Sequence, residues 1–282
     1  MIKINNLTKK FKNQCILDAI DLDIAAGDKI ALIGQNGAGK TTLIRIILGL
    51  YQYSGEVKIM GLDPKKDRVE ILNQIGFVPQ LPPPIQISVE ELINYASAVT
   101  DQLEPKEIYK KAEELGLDLK TFQKRSFQKL SGGMKQKFLI ALALAKRPKI
   151  LIMDEPAANL DPQGRQAFLL LLTKAMQDCT MLLSSHRVDE VLNLINRIVE
   201  LDYGKIVQDD DINETQLADK MLDCQIQLLA PNENAVKLLK DWRFDSVNNG
   251  THFSGRFIGA DRLKFFTSIS HIANYIEKLN IN

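Results

Sequence analysis

The amino-acid sequence predicts an α/β protein with a mainly parallel sheet and a small α+β appendage at its C-terminal end. Short apolar segments typical of buried strands alternate with helix-like segments between residues 30 and 200. Such alternation indicates parallel strands joined by helices. Residues 1–30 instead alternate apolar and polar side chains, which favours β-structure, and residues 88–125 are mostly helix-compatible. A glycine-rich loop at residues 34–42 joins one of the apolar strands to a helix.

The acidic run at residues 209–211 is the predicted linker between two domains, 1–212 and 213–282. The second domain contains strand-like and helical segments and ends in residues 261–279, whose apolar side chains recur at helical spacing. We therefore expect a long amphipathic helix there. Two interpretations of this appendage stay open: its helix packs only on its own strands, or it forms a regulatory or dimer contact.

Composition excludes several classes of protein. The 282 residues include 36 basic and 35 acidic side chains, and this balance argues against nucleic acid as the main partner. The three cysteines lack metal-ligand spacing and are expected to be reduced thiols. The N-terminal residues do not resemble a signal peptide, and the longest apolar run, residues 138–145, is far shorter than the ~20 residues of a membrane span. We expect a chain that needs another subunit to act at a membrane.

The loop at residues 34–42 fits the phosphate-loop pattern G-x-x-x-x-G-K-[ST] at every fixed position. Glycines let backbone N–H groups approach a phosphate closely, and the following helix presents its positive end. Lysine would reach the β- and γ-phosphates, and the first threonine would ligate Mg²⁺. The candidate nucleotide-binding residues here are Gly34, Asn36, Gly37, Gly39, Lys40, Thr41 and Thr42.

A second nucleotide motif consists of four apolar residues followed by Asp154 and Glu155. A parallel strand ending here would deliver both carboxylates to the sheet edge beside the phosphate loop. Asp154 is the candidate Mg²⁺ ligand, and Glu155 is the candidate general base for attack on the γ-phosphate. The alternative, an acidic turn after a core strand, loses weight because the phosphate loop is present.

The segment Leu-Ser-Gly-Gly-Met-Lys-Gln at residues 130–136 resembles the signature motif of ATP-binding cassette (ABC) ATPases. The resemblance implies that Ser131, Gly132 and Gly133 would grip the γ-phosphate of ATP bound by a second copy. The chain departs from the commonest form of the motif at Met134, where the family usually has glutamine. The serine and both glycines are intact.

Four further elements of that family follow the same order, and the resemblance covers residues 1–210. Gln80 resembles the Q-loop glutamine, which senses Mg²⁺ and faces the membrane partner. Asp161 lies in a segment that resembles the D-loop at the dimer interface, and His186 resembles the H-loop histidine that contacts the γ-phosphate. Phe11 is the candidate for stacking on adenine, or it is simply a core residue.

The resemblance implies an ABC-type phosphate-loop NTPase core with a helical subdomain, an antiparallel β subdomain and the cofactors ATP and Mg²⁺. It also implies an ATP-induced homodimer that drives transport, with a lean to export, through a separate integral-membrane permease. The chain would then be cytoplasmic, at the inner face of the cell membrane. The alternative is a soluble ABC ATPase without a transport role, such as an Fe–S assembly scaffold. The three prolines at residues 82–84 form either a coupling element towards the permease or a merely rigid surface loop.

Overall fold

The computed structural model describes residues 1–100, 103–175, 179–185, 194–212, 221–248, 250–258, 265, 268–269, 272 and 275–281. They fall into two compact units, Met1–Asp211 and Ile212–Asn282. Within the described residues, no helix combines the length and apolar character needed to cross a bilayer.

The strands of the first unit are β1 (Ile2–Phe11), β2 (Gln14–Ile24), β3 (Lys29–Ile33), β4 (Ser54–Ile59), β5 (Ile75–Val78), β6 (Ile150–Asp154), β7 (Thr180–Ser184), β8 (Arg197–Asp202) and β9 (Lys205–Asp211). Its helices are α1 (Lys40–Ile47), α2 (Arg68–Gln74), α3 (Val89–Val99), α4 (Pro105–Glu114), α5 (Gly132–Ala145) and α6 (Pro162–Ala175). Short 3-10 turns span Leu119–Phe122 and Phe127–Lys129.

The central sheet has six strands in the order β5-β6-β7-β3-β8-β9. The first five are mutually parallel, and β9 runs antiparallel to β8. Every residue of β6 and β7 is buried, as expected for strands covered on both faces. The predicted α/β fold with a mainly parallel sheet is confirmed.

A second, antiparallel sheet has the order β2-β1-β4. The alternating sequence of β1 places Ile2 and Ile4 inward, at 1% exposure or less. These side chains join the apolar residues of α1 and of the central sheet in one core. Helix α1 therefore packs against both sheets, and this packing holds the loop that precedes the helix in place.

The helical part of this unit contains α3, α4 and α5. Ser88 and Glu91 form a reciprocal cap at the start of α3, in which each side chain accepts a hydrogen bond from the other residue's backbone N–H. The ring centroids of Phe127, which precedes α5, and Phe138, within α5, lie 5.4 Å apart, and both side chains are buried.

The linker prediction for residues 209–211 is wrong in detail, because these residues continue β9 and pair with β8. Arg197 explains why an acidic run is accepted in this strand. Its guanidinium donates to both carboxylate oxygens of Asp209, at 2.6 and 2.7 Å, and to Asp28 at 3.0 Å. These partners raise the pKa of Arg197 above its ordinary value.

The second unit contains strands β10 (Met221–Leu228), β11 (Asp245–Asn248), β12 (His252–Ile258) and β13 (Ile276–Ile281), with helix α7 (Glu233–Asp241) after β10. Its antiparallel sheet has the order β11-β12-β10-β13. Helical residues between β12 and β13 include Phe265 and Ile269, both buried in the core of this unit. The sequence order β-α-β-β-α-β with this strand order is the split β-α-β arrangement.

The predicted long helix over residues 261–279 is wrong at its C-terminal end, where β13 pairs with β10. Ile276 and Leu279 suggested a helix because they are three positions apart. A register shift between Ile276 and Lys278 places an extra residue in β13, so both side chains pack against the same core. Most of residues 261–274 lies outside the described part of the chain.

Candidate functional site

The loop between β3 and α1 has a backbone conformation that requires glycine. Gly34 and Gly39 have φ angles of +144° and +112°, a region that disfavours side chains. A Cβ atom on Gly34 would lie 2.1 Å from the carbonyl oxygen of Leu201, and one on Gly39 would lie 2.7 Å from the Leu17 side chain. The sequence therefore folds residues 34–39 tightly against β2 and β8, with the N-terminus of α1 behind them.

Lys40, the first residue of α1, folds back over this loop. Its Nζ donates to the carbonyl oxygens of Gly34 and Gln35, at 2.6 and 3.0 Å, and only 6% of the residue is exposed. Burial lowers the pKa of Lys40, while the carboxylates of Glu155 and Asp154 act in the opposite direction. An ammonium group is thus positioned in the loop, close to two acidic side chains.

Asp154 ends β6 and is almost fully buried, at 3% exposure. Thr41 donates its hydroxyl to Oδ2 at 2.8 Å, and Ser184, at the end of the neighbouring strand β7, donates its hydroxyl to Oδ1 at 2.6 Å. Two hydroxyl groups from different elements therefore fix both oxygens of this carboxylate. Sequence reasoning missed Ser184, although the position of a serine at the end of an apolar strand was an available signal.

Glu155 follows with a φ of +48°, a conformation that costs a non-glycine residue roughly 1–2 kcal/mol. Its N–H donates to both the carbonyl oxygen and Oγ of Ser184, at 3.2 and 3.0 Å. Its carboxylate oxygen Oε2 accepts a hydrogen bond of 3.1 Å from Nε2 of Gln80. Strained backbone conformations of this kind are concentrated at functional sites.

An open cavity of about 350 Å³ lies over the loop. Most of the predicted binding residues line it, and the full set is Phe11, Ile16, Gln35, Asn36, Gly37, Ala38, Gly39, Lys40, Thr41, Thr42, Gln80 and Glu155. Phe11 is 41% exposed at the end of β1, so its ring is accessible and is not a core residue. The cavity has a phosphate loop and a lysine at one part of its wall and an exposed aromatic ring at another.

The signature-like residues lie elsewhere in this unit. Ser131 caps α5 by accepting a hydrogen bond of 3.2 Å from the N–H of Met134. A Cβ on Gly133 would lie 3.1 Å from the carbonyl oxygen of Asn159, and Asp161 lies 3.5 Å from Nζ of Lys137. The predicted signature and D-loop segments are therefore neighbours. Among the described residues that line the cavity, none is Ser131, Gly132, Gly133 or Asp161.

A groove of about 410 Å³ adjoins the cavity and shares Thr41 and Gln80 with it. Its walls also contain Asp154, the charged side chain of Arg45 and the apolar or aromatic side chains of Leu50, Tyr51, Phe77, Pro79 and Leu81. Leu81 and Leu50 are 77% and 51% exposed, so apolar surface faces solvent here.

The predicted site residue His186 lies outside the described residues, and its role stays a prediction.

Comparisons with known proteins identify the family. The model of the family described as ABC transporter matches residues 17–158. The chain is 37% identical over 219 residues to the energy-coupling factor transporter ATP-binding protein EcfA1 of Ligilactobacillus salivarius, covering 74% of this chain and 77% of that protein. It is 30% identical over 260 residues to the bacitracin transport ATP-binding protein BcrA of Bacillus licheniformis, covering 90% and 83%.

Solved structures give the same result. One, described as the ATP binding subunit of an ABC transporter, has a TM-score of 0.68 and 26% identity, covering 77% of this chain and 92% of that one. Another is the dimeric post-hydrolysis state of the ATP-binding cassette MJ0796 bound to ADP and Pi, with a TM-score of 0.67 and 25% identity, covering 76% and 99%. The chain belongs to the ABC transporter family, as an ATP-binding subunit with ATPase activity.

Proposed function

We propose that this chain hydrolyses ATP at a site shared between two copies and thereby drives transport through a separate membrane subunit. One observation carries the proposal: the cavity assembles a phosphate loop, a lysine and the carboxylate of Glu155, and its Thr41 donates to the buried Asp154, while the signature-like residues of the same copy lie outside it. A second copy would supply them. The domain that does this work is residues 1–212, and residues 213–282 are an accessory domain.

The position of each side chain in the site indicates its proposed role. The backbone N–H groups of residues 34–42 and Nζ of Lys40 would hold the β- and γ-phosphates, and the exposed ring of Phe11 would stack on adenine. Glu155 would take a proton from the water that attacks the γ-phosphorus, as the bond to the bridging oxygen breaks and ADP leaves. Gln80, already 3.1 Å from Glu155, would orient that carboxylate. His186 and Asp161 are proposed to complete the γ-phosphate end of the site.

Thr41 and Asp154 fit a Mg²⁺ ion, because hydroxyl and carboxylate oxygens are its preferred protein ligands. Within the described residues, no three acidic, histidine or cysteine side chains cluster as a metal cage. That agrees with a Mg²⁺ ion bound by a single carboxylate, by neutral protein oxygens and by substrate phosphates. When bound, the ion would neutralise charge on the β- and γ-phosphates. Gln80, which lines the cavity, is the third proposed ligand.

The groove beside the cavity is the proposed docking surface for the membrane subunit. Exposed leucines and aromatic rings at its walls would receive a short apolar helix, and Arg45 would pair with an acidic residue of that helix. The chain would then work at the inner face of the cell membrane. The similarity to the bacitracin transport protein, which spans 90% of this chain, supports the lean towards export.

The proline segment at residues 82–84 connects this groove to the signature-like helix. Beyond the prolines, the carbonyl oxygen of Gln86 accepts a hydrogen bond of 2.9 Å from Oγ of Ser126, and that of Ile87 accepts one of 2.9 Å from the N–H of Phe127. Phe127 begins the short turn that leads to Ser131. A displacement at Gln80 would thus be transmitted through a stiff segment to the surface that meets the second copy.

A mixing experiment tests the shared site. Lys40→Ala removes the phosphate-loop lysine, and Gly132→Asp places a negative charge where the γ-phosphate would bind. A Cβ on Gly132 has no neighbouring atom within 4 Å, so Gly132→Asp should fold, and Gly132→Ala is its matched control. Lys40→Ala alone and Gly132→Asp alone should each be inactive. Their mixture should recover ATPase activity, because one of the two sites then has an intact lysine and an intact signature.

Activity of either variant alone at the wild-type level would overturn the assigned roles, and an inactive mixture would overturn the shared site. A pull-down from the source membrane tests the transport role separately. Co-purification of a multi-span membrane protein is expected. Recovery of soluble partners alone would favour an ABC ATPase without a transport role, such as an Fe–S assembly scaffold.

A further inference from the structure

The exposed ring of Phe11 is fixed by a small cluster that also includes Lys9, Arg45 and Tyr51. The centroids of Phe11 and Tyr51 lie 5.3 Å apart with their planes at 83°, an edge-to-face contact. Nζ of Lys9 lies 4.4 Å from the centroid of Phe11 and 5.4 Å from that of Tyr51. One ammonium group therefore contacts both rings.

Lys9 and Tyr51 are themselves fixed. Nζ of Lys9 donates to the carbonyl oxygen of Gln52 at 2.7 Å. The hydroxyl of Tyr51 accepts a hydrogen bond of 2.7 Å from NH1 of Arg45, whose guanidinium carbon lies 5.7 Å from the ring. Tyr51 is half-buried and packs on the main core. Phe11, which is 41% exposed, therefore rests against two side chains that are themselves hydrogen-bonded.

Arg45 connects this cluster to the phosphate end of the site. It lies in α1, the helix that begins with Lys40 and Thr41. One rigid helix therefore presents the lysine and threonine to the phosphates at its first turn and anchors Tyr51 near its last. Helix α1 would therefore set the distance between the surface that binds the phosphates and the surface that binds the base of a nucleotide.

We propose that Tyr51 is the positioning residue of the base site and presents Phe11 to adenine. Its contact with Arg45 would fix the distance between Phe11 and the phosphate loop. This inference rests on the proposed function of the cavity. Tyr51 lines the groove and not the cavity, so it acts through Phe11 and makes no contact with the base. The ammonium group of Lys9 supports the same ring through a cation–π contact.

The test compares a ligand that has a base with one that has none. Calorimetry of the full chain measures the affinities for ATP and for tripolyphosphate, and a steady-state assay gives kcat and KM for ATP. Tyr51→Ala should weaken ATP binding about 3- to 10-fold, the range expected for loss of an aromatic pair. Tripolyphosphate binding should stay unchanged. The KM should rise while kcat stays close to wild type.

Tyr51→Phe keeps the ring contact and should restore most of the ATP affinity. Arg45→Met, which removes the anchor, should shift ATP affinity in the same direction as Tyr51→Ala by a smaller factor. Tyr53→Ala is the matched control, because Tyr53 packs on the same core but lines neither the cavity nor the groove. Its ratio of ATP to tripolyphosphate affinity should equal that of the wild type.

Equal weakening of ATP and tripolyphosphate by Tyr51→Ala, or no change in ATP affinity, would overturn the positioning role. Phe11→Ala separates this result from failure of the proposed function. If Phe11→Ala weakens ATP binding and Tyr51→Ala does not, only the positioning role is wrong. If Phe11→Ala also leaves ATP binding unchanged, the cavity does not bind the base at Phe11.

Discussion

Nε2 of Gln80 donates a hydrogen bond of 3.1 Å to Oε2 of Glu155, a residue 75 positions further along the chain. Gln80 lies where β5 ends, and Glu155 lies where the adjacent parallel strand β6 ends. Because Gln80 lines both the cavity and the groove, this contact connects the candidate base with the proposed docking surface. A displacement of either side chain changes the surroundings of the other.

Lys40→Ala should abolish ATP binding or turnover, since Nζ of Lys40 is the ammonium group that the loop carbonyls hold in position for phosphate. A binding titration with Mg-ATP measures the effect. Lys66→Ala is the control, because Lys66 is exposed in the turn before α2 and lies outside the cavity. Wild-type affinity and turnover in Lys40→Ala would show that nucleotide binds elsewhere.

Replacing the three prolines at residues 82–84 by glycine should leave ATP binding nearly unchanged, because the cavity lining does not include them. The amount of substrate transported per ATP hydrolysed should fall in a reconstituted complex, since the stiff segment after Gln80 becomes flexible. Transport and hydrolysis are measured in the same vesicles. An unchanged ratio would leave the prolines as a rigid surface loop without a coupling role.

The chain truncated after Ile212 should bind Mg-ATP as the full chain does. The two units have separate hydrophobic cores, so the first should fold alone. The truncation should alter basal ATPase or dimer stability if the appendage forms a regulatory or dimer contact, and leave both unchanged if it only packs on itself. A folded truncation that no longer binds nucleotide would contradict both interpretations, and circular dichroism checks folding.

The thiols should differ sharply in reactivity. Burial raises the pKa of Cys179 to about 11 and that of Cys224 to about 12, so both stay protonated near neutral pH, and the thiolate is the reactive form. Cys15 is exposed. A maleimide at pH 7 should label Cys15 in the native chain and all three thiols in denaturant, as mass spectrometry can show. Fast native labelling of Cys179 would contradict its burial.

Much of the site could be predicted from short local patterns. The loop at residues 34–42 and the pair Asp154 and Glu155 lie in segments whose spacing alone dictates strand, turn and helix, and the structure places them together. The contacts made by Ser184 and Tyr51 could not be predicted in this way. They depend on which strands are neighbours in the sheet and on how rings pack across elements, and neither property is encoded in local spacing.

Two errors have the same physical origin. Residues 209–211 carry charges typical of a linker, yet pairing with β8 and the guanidinium of Arg197 stabilise them as a strand. Ile276 and Leu279 have the spacing typical of a helix, yet an extra residue in the ladder with β10 accommodates that spacing in a strand. In both segments tertiary pairing overrides the local pattern.

The ATPase rate and oligomeric state of Glu155→Gln test whether two copies share a site in which Glu155 is the general base. Glutamine preserves the shape of the side chain but cannot accept a proton, so hydrolysis should slow by roughly 10²–10⁴-fold while ATP binding persists. Size-exclusion chromatography with Mg-ATP should then show a stable dimer that is absent without nucleotide, and Glu70→Gln, on exposed α2 surface, should behave as wild type. Full wild-type turnover in Glu155→Gln, or a monomer that hydrolyses ATP at the normal rate, would contradict a shared site with Glu155 as its base.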